Sequence, residues 1–120
     1  MSTLAPVADC VFCRIVAGEL PAEVVARTER TVAFRDLDPK APTHVLVVPV
    51  DHVAHAGELG PRHGDMLAEL FTAANAVAAS EGVAGSGYRL VFNVGDDAGN
   101  TVDHLHLHVL GGRALAWPPG

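Results

Sequence analysis

The stretch His104-Leu105-His106-Leu107-His108-Val109-Leu110 alternates histidine with leucine and then ends in an aliphatic pair. Successive side chains of a β-strand point to opposite faces, so this pattern predicts a strand with its imidazoles in one row, about 6.6 to 6.8 Å apart, and its aliphatic side chains on the other face. A solvated strand gives a similar alternation, but its wet face usually carries Thr, Lys, Glu or Ser. Imidazole attacks, transfers protons and binds metals near neutral pH, so the pattern favours a catalytic face, with a metal-binding row as the alternative.

The composition predicts one globular domain over residues 1–120. The chain has 120 residues, of which 49% are hydrophobic and 18% charged, and a chain of this size buries roughly two thirds of its unfolded surface. No apolar run is long enough to cross a membrane, and residues 1–9 lack the basic and apolar regions of a signal peptide. We therefore expect a cytoplasmic protein with no membrane partner, a flexible N-terminus over residues 1–9, and a C-terminal tail over residues 113–120.

The net charge of −6 argues against a nucleic acid polymer as partner, although it does not exclude a small nucleotide. Hydrophobic periodicity and glycine positions predict an α+β fold with an antiparallel sheet. A short helix is expected over Cys10–Ala17, and one long amphipathic helix over about Asp65–Glu81. The expected strands are Val24–Arg27, Thr31–Arg35, His44–Val50, Tyr88–Asn93 and the histidine row.

Two cysteines, Cys10 and Cys13, are three positions apart. This spacing suits a metal or redox pair better than a structural disulfide. No thioredoxin-like βαβ pattern follows, so a metal site is favoured, and a pair of buried free thiols is the alternative.

Three further motifs accompany the histidine row: Ala41-Pro42-Thr43-His44, Gly99-Asn100-Thr101 and Leu110-Gly111-Gly112-Arg113. Together they resemble the histidine-triad (HIT) family, and the length and the tail Trp117-Pro118-Pro119-Gly120 are most similar to its Hint branch. The resemblance runs from about Asp9 to Gly120. It implies a HIT-like antiparallel sheet with one long helix and a short N-terminal helix, continued across a homodimer by strand pairing. Each tail would reach toward the partner's active site, where Trp117 would influence the leaving group.

The resemblance also implies an activity: hydrolysis of the P–N bond of purine nucleoside 5′-phosphoramidates to AMP or GMP through a covalent nucleotidyl-histidine. His106 would be the nucleophile, and the carbonyl of His104 would orient it. His108 would assist the leaving group, and His44 would join the hydrogen-bond network behind. Two alternatives stay open: a dinucleoside polyphosphate hydrolase of the Fhit kind, against which the short C-terminus and tryptophan tail argue, and a non-catalytic adaptor that binds zinc or nucleotide.

The nucleotide-binding residues are likewise implied by the resemblance. Asn93 and the loop Gly99, Asn100 and Thr101 would hold the phosphate, and Asp36 would bind the ribose hydroxyls. An apolar slot would take the purine ring. Its residues would be Phe12, Ile15, Phe34 and Leu37. Considered singly, each of these four is more often a core residue, and His44 is about as often a satisfied core histidine as a functional one.

In family members that keep both cysteines, the resemblance implies a structural zinc held by Cys10, Cys13, His52 and His104, with no part in catalysis. Asp103 departs from the Hint pattern, which usually has an apolar residue there. Its carboxylate would either favour the protonated form of a neighbouring histidine or face solvent.

Overall fold

The computed structural model describes residues 9–120, so nearly all of the predicted flexible N-terminus lies outside the described residues. Within these residues, two helices and five strands form the fold, and short 3₁₀ turns lie between them. The helices are α1 (Val11–Val16) and α2 (Gly64–Ser80). The strands are β1 (Val24–Arg27), β2 (Thr31–Arg35), β3 (Thr43–Pro49), β4 (Tyr88–Val91) and β5 (Leu107–Gly111).

The predicted fold class is confirmed. All five strands pair antiparallel in one sheet with the order β1-β2-β3-β5-β4. Within residues 9–120, no helix has the length and the apolar character that crossing a membrane requires.

The prediction of one strand over the whole histidine row was wrong. β5 begins at Leu107, and the ladder to β3 starts with the pair Val47 and Leu107. Pro49 has no N–H to donate to a neighbouring strand. Its carbonyl oxygen instead accepts a hydrogen bond from the Nε2 of His104 at 2.9 Å. The amide of Leu105 donates to the carbonyl of Val53 at 2.6 Å, outside the sheet. The side chains nevertheless keep alternating through this irregular segment.

Each face of the sheet carries its own hydrophobic core. The face under α2 receives the aliphatic side chains of the histidine row, which pack with Val45, Val47 and the buried side of the helix. The opposite face packs against α1. Its core contains Cys10, Phe12, Cys13, Ile15, Val32, Phe34, Leu46 and Val48. The histidine row therefore lies on the face of the sheet that α1 covers, and α2 closes the other.

Arg35 joins β2 to the end of α2, a role that the sequence did not indicate. Its guanidinium donates to both carboxylate oxygens of Glu81, at 2.7 and 2.9 Å, and to Glu23 at 2.9 Å. These hydrogen bonds raise the pKa of Arg35 above its ordinary value, and the Arg35 bond is the main reason why the pKa of Glu81 is lowered. This bidentate contact anchors the helix over the sheet.

Candidate active site

The register of β3 and β5 brings two histidines of the site together. His108 lies opposite Leu46, and His44 lies opposite Leu110. Opposed residues of an antiparallel pair share a face, as do residues two apart on one strand, so both imidazoles point to the α1 side. The Nε2 of His44 is 2.9 Å from the Nδ1 of His108.

The hydrogen bonds around this pair determine where its protons lie. The backbone N–H of Lys40 donates to the Nδ1 of His44 at 3.0 Å, so the neutral His44 ring carries its proton on Nε2. That proton is donated to the Nδ1 of His108, which leaves the His108 proton on Nε2. Burial is the main reason why the pKa of His44 is lowered and that of His108 falls to about 4, so both rings are neutral at pH 7.

The Nε2 of His108 is buried and has no hydrogen-bond partner among residues 9–120. A buried donor without a partner costs about 1 to 3 kcal/mol, so such groups usually have a functional reason. A ligand atom that accepts this hydrogen bond would remove the cost. The pair of His44 and His108 thus presents one N–H to an acceptor in the site.

His106 carries its proton on Nδ1, whereas His44 and His108 carry theirs on Nε2. Its Nδ1 lies 2.7 Å from the backbone carbonyl of His104, which only accepts, so Nδ1 carries the proton and Nε2 keeps its lone pair. The ring is half-buried, with its centroid 5.0 Å from that of His108 and 5.1 Å from that of Phe12. A nucleophilic nitrogen and an N–H donor therefore lie side by side.

A second cluster lies at the other end of the row, where the His104 side chain is fully buried. Its Nε2 donates to the carbonyl of Pro49, so its Nδ1 lone pair points away from the backbone. That Nδ1 is 3.3 Å from the Sγ of Cys10, 3.4 Å from the Sγ of Cys13 and 3.2 Å from the Nδ1 of His52. Burial lowers the pKa of His104 to about 4, which keeps the ring in the neutral form that a metal needs.

The donor atoms of this Cys/His cluster fit a tetrahedral zinc ion. All four ligand atoms lie within 4.8 Å of one another. Zinc with two nitrogen and two sulfur ligands at its usual bond lengths requires separations of about 3.3 to 3.8 Å between them. Four of the six separations in this cluster are 3.2 to 3.4 Å. The short helix α1 begins at Val11, directly after Cys10, and so places both sulfurs on one side. Four protein ligands leave no open position, which is typical of a structural site.

Asp36, His44 and His108 form a second group of potential ligands within 4.8 Å of one another. The Lys40 amide places a proton on the Nε2 of His44, so that atom has no lone pair to offer an ion. The Oδ2 of Asp36 is 3.4 Å from the same Nε2 and its Oδ1 accepts the amide of Asp38 at 2.8 Å. This group is a hydrogen-bond relay and not a metal site.

The structure brings only some of the predicted nucleotide-binding residues to the histidines. Phe12 contacts His106 at its edge, and Ile15 and Phe34 are buried in the same core. Leu37 is 96% exposed and Trp117 is 82% exposed. Three of the four residues of the predicted slot therefore lie in the core that α1 covers, and Leu37 lies outside it.

Two backbone amides of the predicted phosphate loop donate hydrogen bonds within the loop itself. The amides of Gly99 and Asn100 donate to carbonyls of the same turn, at 2.9 and 3.1 Å, so they are engaged within the loop and are not free for a phosphate. Gly99 has φ +84°, a conformation that glycine adopts without strain. Thr101 is exposed and Asn93 is half-buried. Asp103 is exposed and accepts the side-chain amide of Asn100 at 3.2 Å, which agrees with the solvent-facing alternative.

Sequence reasoning missed the backbone groups that set the tautomers, namely the amide of Lys40 and the carbonyl of Pro49. It also missed Arg113, whose guanidinium donates to the carbonyl of Lys40 at 2.7 Å. No residue type marks a backbone donor or acceptor in advance, so only the fold reveals them. The motif ending in Arg113 was the one available signal.

Comparisons with known proteins agree with this geometry. The model of the HIT domain family matches residues 17–115. Purine nucleoside phosphoramidase of Escherichia coli K12 is 36% identical over 107 residues, which cover 89% of this chain and 90% of that protein. The 14 kDa zinc-binding protein of Zea mays is 41% identical and covers 92% of this chain and 87% of its own length.

Among solved structures, the HIT family hydrolase of Legionella pneumophila Philadelphia 1 superposes with a TM-score of 0.91. It is 46% identical, and the match covers 93% of this chain and all of that one. The matched family model spans the sheet, the long helix and the histidine row together. The chain therefore belongs to the HIT domain family.

Proposed function

We propose that this protein hydrolyses purine nucleoside 5′-phosphoramidates and related nucleotidyl conjugates to the nucleoside monophosphate. The observation that carries the proposal is the opposed pair of tautomers: a lone pair on the Nε2 of His106 beside a proton on the Nε2 of His108. The membership of the HIT family and the similarity to a phosphoramidase support the choice of substrate.

The first step forms a bond between the Nε2 of His106 and the α-phosphorus. The P–N bond breaks, and the amine leaves with the bonding electrons and takes the Nε2 proton of His108. The negative charge left on the His108 ring is balanced by the positive charge on His106 until water returns a proton in the second step. Attack leaves the His106 ring positively charged, with its Nδ1–H still held by the carbonyl of His104. Because the two ring centroids are 5.0 Å apart, this charge makes the His108 N–H more acidic as the amine departs.

The second step returns the enzyme to its starting state. Water attacks the phosphorus, an O–P bond forms, and the P–N bond to His106 breaks with its electrons returning to Nε2. The water proton replaces the one that His108 supplied. The balance is one water consumed, one amine and one nucleoside monophosphate released, with neutral imidazole as nucleophile throughout.

The Cys/His cluster is proposed to hold a structural zinc ion. Zinc would tie α1 to the segment before β5 and so fix the backbone of His104, whose carbonyl orients His106. The similarity to a maize zinc-binding protein supports this assignment. Metal analysis of the purified protein tests it, with one zinc per chain expected and a double Cys10→Ala, Cys13→Ala variant as the control.

We also propose a cytoplasmic homodimer. β4 is an edge strand of the sheet, and beside it Phe71 packs on Phe92 at 6.1 Å while remaining 37% exposed. An unpaired edge next to apolar surface supports strand pairing with a second copy. Light scattering after size exclusion tests the state, and a monomeric mass at micromolar concentration would contradict it.

Trapping the nucleotidyl intermediate tests the mechanism and the substrate class together. The protein is mixed with an adenosine 5′-phosphoramidate, quenched within milliseconds to seconds, and analysed by intact mass and peptide mapping. We expect one adenylyl group, on His106, and none on a His106→Ala variant. Label on another residue, or no label at any time despite turnover, would overturn the mechanism.

A parallel assay distinguishes the alternatives. Diadenosine triphosphate is offered beside the phosphoramidate under the same conditions, and kcat/KM is compared. A preference for the phosphoramidate is expected. A preference for the dinucleotide would reassign the enzyme to the Fhit kind, and no turnover of either compound with retained AMP binding would indicate an adaptor.

A further inference from the structure

We propose that Arg113 is a positioning residue for the leaving-group step, acting through the Lys40 segment that fixes the protons of His44 and His108. The inference rests on the proposed function, because it concerns the same site. Arg113 itself contacts neither ring. Its effect passes through backbone groups.

One side-chain hydrogen bond and one close backbone approach hold the end of β5 against the segment before β3. The Nη2 of Arg113 donates to the carbonyl of Lys40 at 2.7 Å, and its Nη1 donates to the carbonyl of Ala114 at 3.0 Å. The preceding Gly112 has φ +93°, and a Cβ added there would lie 2.9 Å from the Cβ of Pro42. The corner at 112–113 thus lies tightly against the loop that carries Lys40.

Lys40 links Arg113 to His44 through its own backbone carbonyl and amide. Its carbonyl is held by Arg113, and its amide donates to the Nδ1 of His44 at 3.0 Å. Its side chain is directed elsewhere, because the ammonium pairs with the carboxylate of Asp38 at 2.6 Å. Arg113 therefore acts on the backbone of Lys40 and restricts the rotation that would move the amide away from His44.

The amide of Lys40 decides the direction of the relay. With the amide in place, His44 donates from Nε2 and His108 keeps its proton on its own Nε2. Without it, the His44 proton can move to Nδ1 and the His108 proton to its own Nδ1, so that the Nδ1–H of His108 donates a hydrogen bond to the Nε2 of His44. The Nε2 of His108 would become a lone pair. The site would lose the donor that the departing amine needs.

The kinetic test compares two leaving groups on the full-length protein. An alkylamine phosphoramidate of AMP needs the His108 donor, whereas the p-nitrophenyl ester of AMP releases a weakly basic anion that needs it little. We expect Arg113→Ala to lower kcat about tenfold for the alkylamine and less than twofold for the ester. Arg113→Lys, which retains one donor, should restore most of the loss.

The control is Arg30→Ala, which also removes an exposed arginine with one ion pair, to Glu69 at 3.0 Å. It should leave both rates unchanged. An equal loss on both substrates in Arg113→Ala, or no loss on either, would overturn the inference while leaving the proposed function intact. If the wild type cleaves neither substrate, the proposed function fails, and the inference is decided by the measurement below.

Imidazole ¹⁵N NMR at pH 7 reads the tautomers directly and does not depend on turnover. In the wild type, His44 and His108 should both be protonated at Nε2. In Arg113→Ala, His44 should show a mixture of Nε2–H and Nδ1–H forms, with melting temperature recorded to exclude unfolding. An unchanged Nε2–H signal for His44 in a folded Arg113→Ala variant would overturn the inference.

Discussion

The Cys/His cluster and the pair of His44 and His108 use the same side chain for opposite purposes. At the cluster, the carbonyl of Pro49 accepts a hydrogen bond from the Nε2–H of His104, which leaves the Nδ1 lone pair for a metal. At the pair, the amide of Lys40 occupies the Nδ1 lone pair of His44 and sends a proton toward the substrate side. Both sets bring ligand atoms within 4.8 Å. The difference teaches that one backbone partner, and not the residue type, decides between ligand and donor.

The largest expected effect would separate the two regions. His106→Ala should lower turnover by about 10³-fold or more, because it removes the proposed nucleophile while the proposed zinc site of the Cys/His cluster remains intact. Steady-state assay, zinc analysis and thermal melting measure the three quantities. His63→Ala, on a turn where its ring accepts the Gly60 amide at 2.9 Å, is the matched control and should retain activity. Undiminished hydrolysis by His106→Ala would remove the nucleophile assignment.

The next-largest effect is expected on zinc binding and stability, with a smaller effect on turnover. Cys13→Ala should abolish stoichiometric zinc and lower the melting temperature by about 10 °C or more, since metal binding free energy contributes to folding. Turnover of the protein that stays folded should fall less than tenfold. Inductively coupled plasma analysis and calorimetry test the first part. A loss of turnover as deep as that of His106→Ala would show that the two regions are one unit.

A pH experiment tests the neutral state of His108 in its pair with His44. Burial lowers the pKa of His108 to about 4 in the folded protein, whereas an unfolded histidine has a pKa of about 6.5. Between these values the unfolded chain binds more protons, so the stability contributed by neutral His108 is full above about pH 6.5 and is lost as the pH falls toward 4, by at most about 1.4 kcal/mol per pH unit. Urea denaturation at pH 7.0, 6.0 and 5.0 should show a shallower loss for His108→Gln, and an equal slope would contradict the assignment.

The smallest effect concerns the nucleotide side. Leu37 is 96% exposed, so Leu37→Ala should leave the melting temperature unchanged and raise KM about fivefold if a purine covers it, with kcat unchanged. The matched variant Ile15→Ala removes a side chain that is 9% exposed in the α1 core and should cost about 2 to 4 kcal/mol of unfolding free energy. An unchanged KM in Leu37→Ala would remove this residue from the purine site.

Much of the fold followed from pattern alone. Period-two alternation placed Leu105, Leu107 and Val109 in the core under α2, and the helix and strand bounds came within one or two residues outside the histidine row. The start of β5 did not follow, because Pro49 ends the ladder and offers its carbonyl to a side chain. The link between Arg35 and Glu81 was also invisible in advance, since it joins residues 46 positions apart.

The candidate site divides in the same way. Its residue types were legible in the sequence, since three alternating imidazoles and two cysteines at a short spacing already indicate a nucleophilic row and a metal ligand set. The family resemblance already implied that the carbonyl of His104 orients His106. The proton positions of His44 and His104 were not predicted, because their deciding partners are the backbone amide of Lys40 and the backbone carbonyl of Pro49. The sequence by itself determined which side chains share a face. Only the tertiary structure decided which nitrogen of each ring attacks, donates or binds a metal, because that choice depends on backbone groups that folding brings within hydrogen-bond distance.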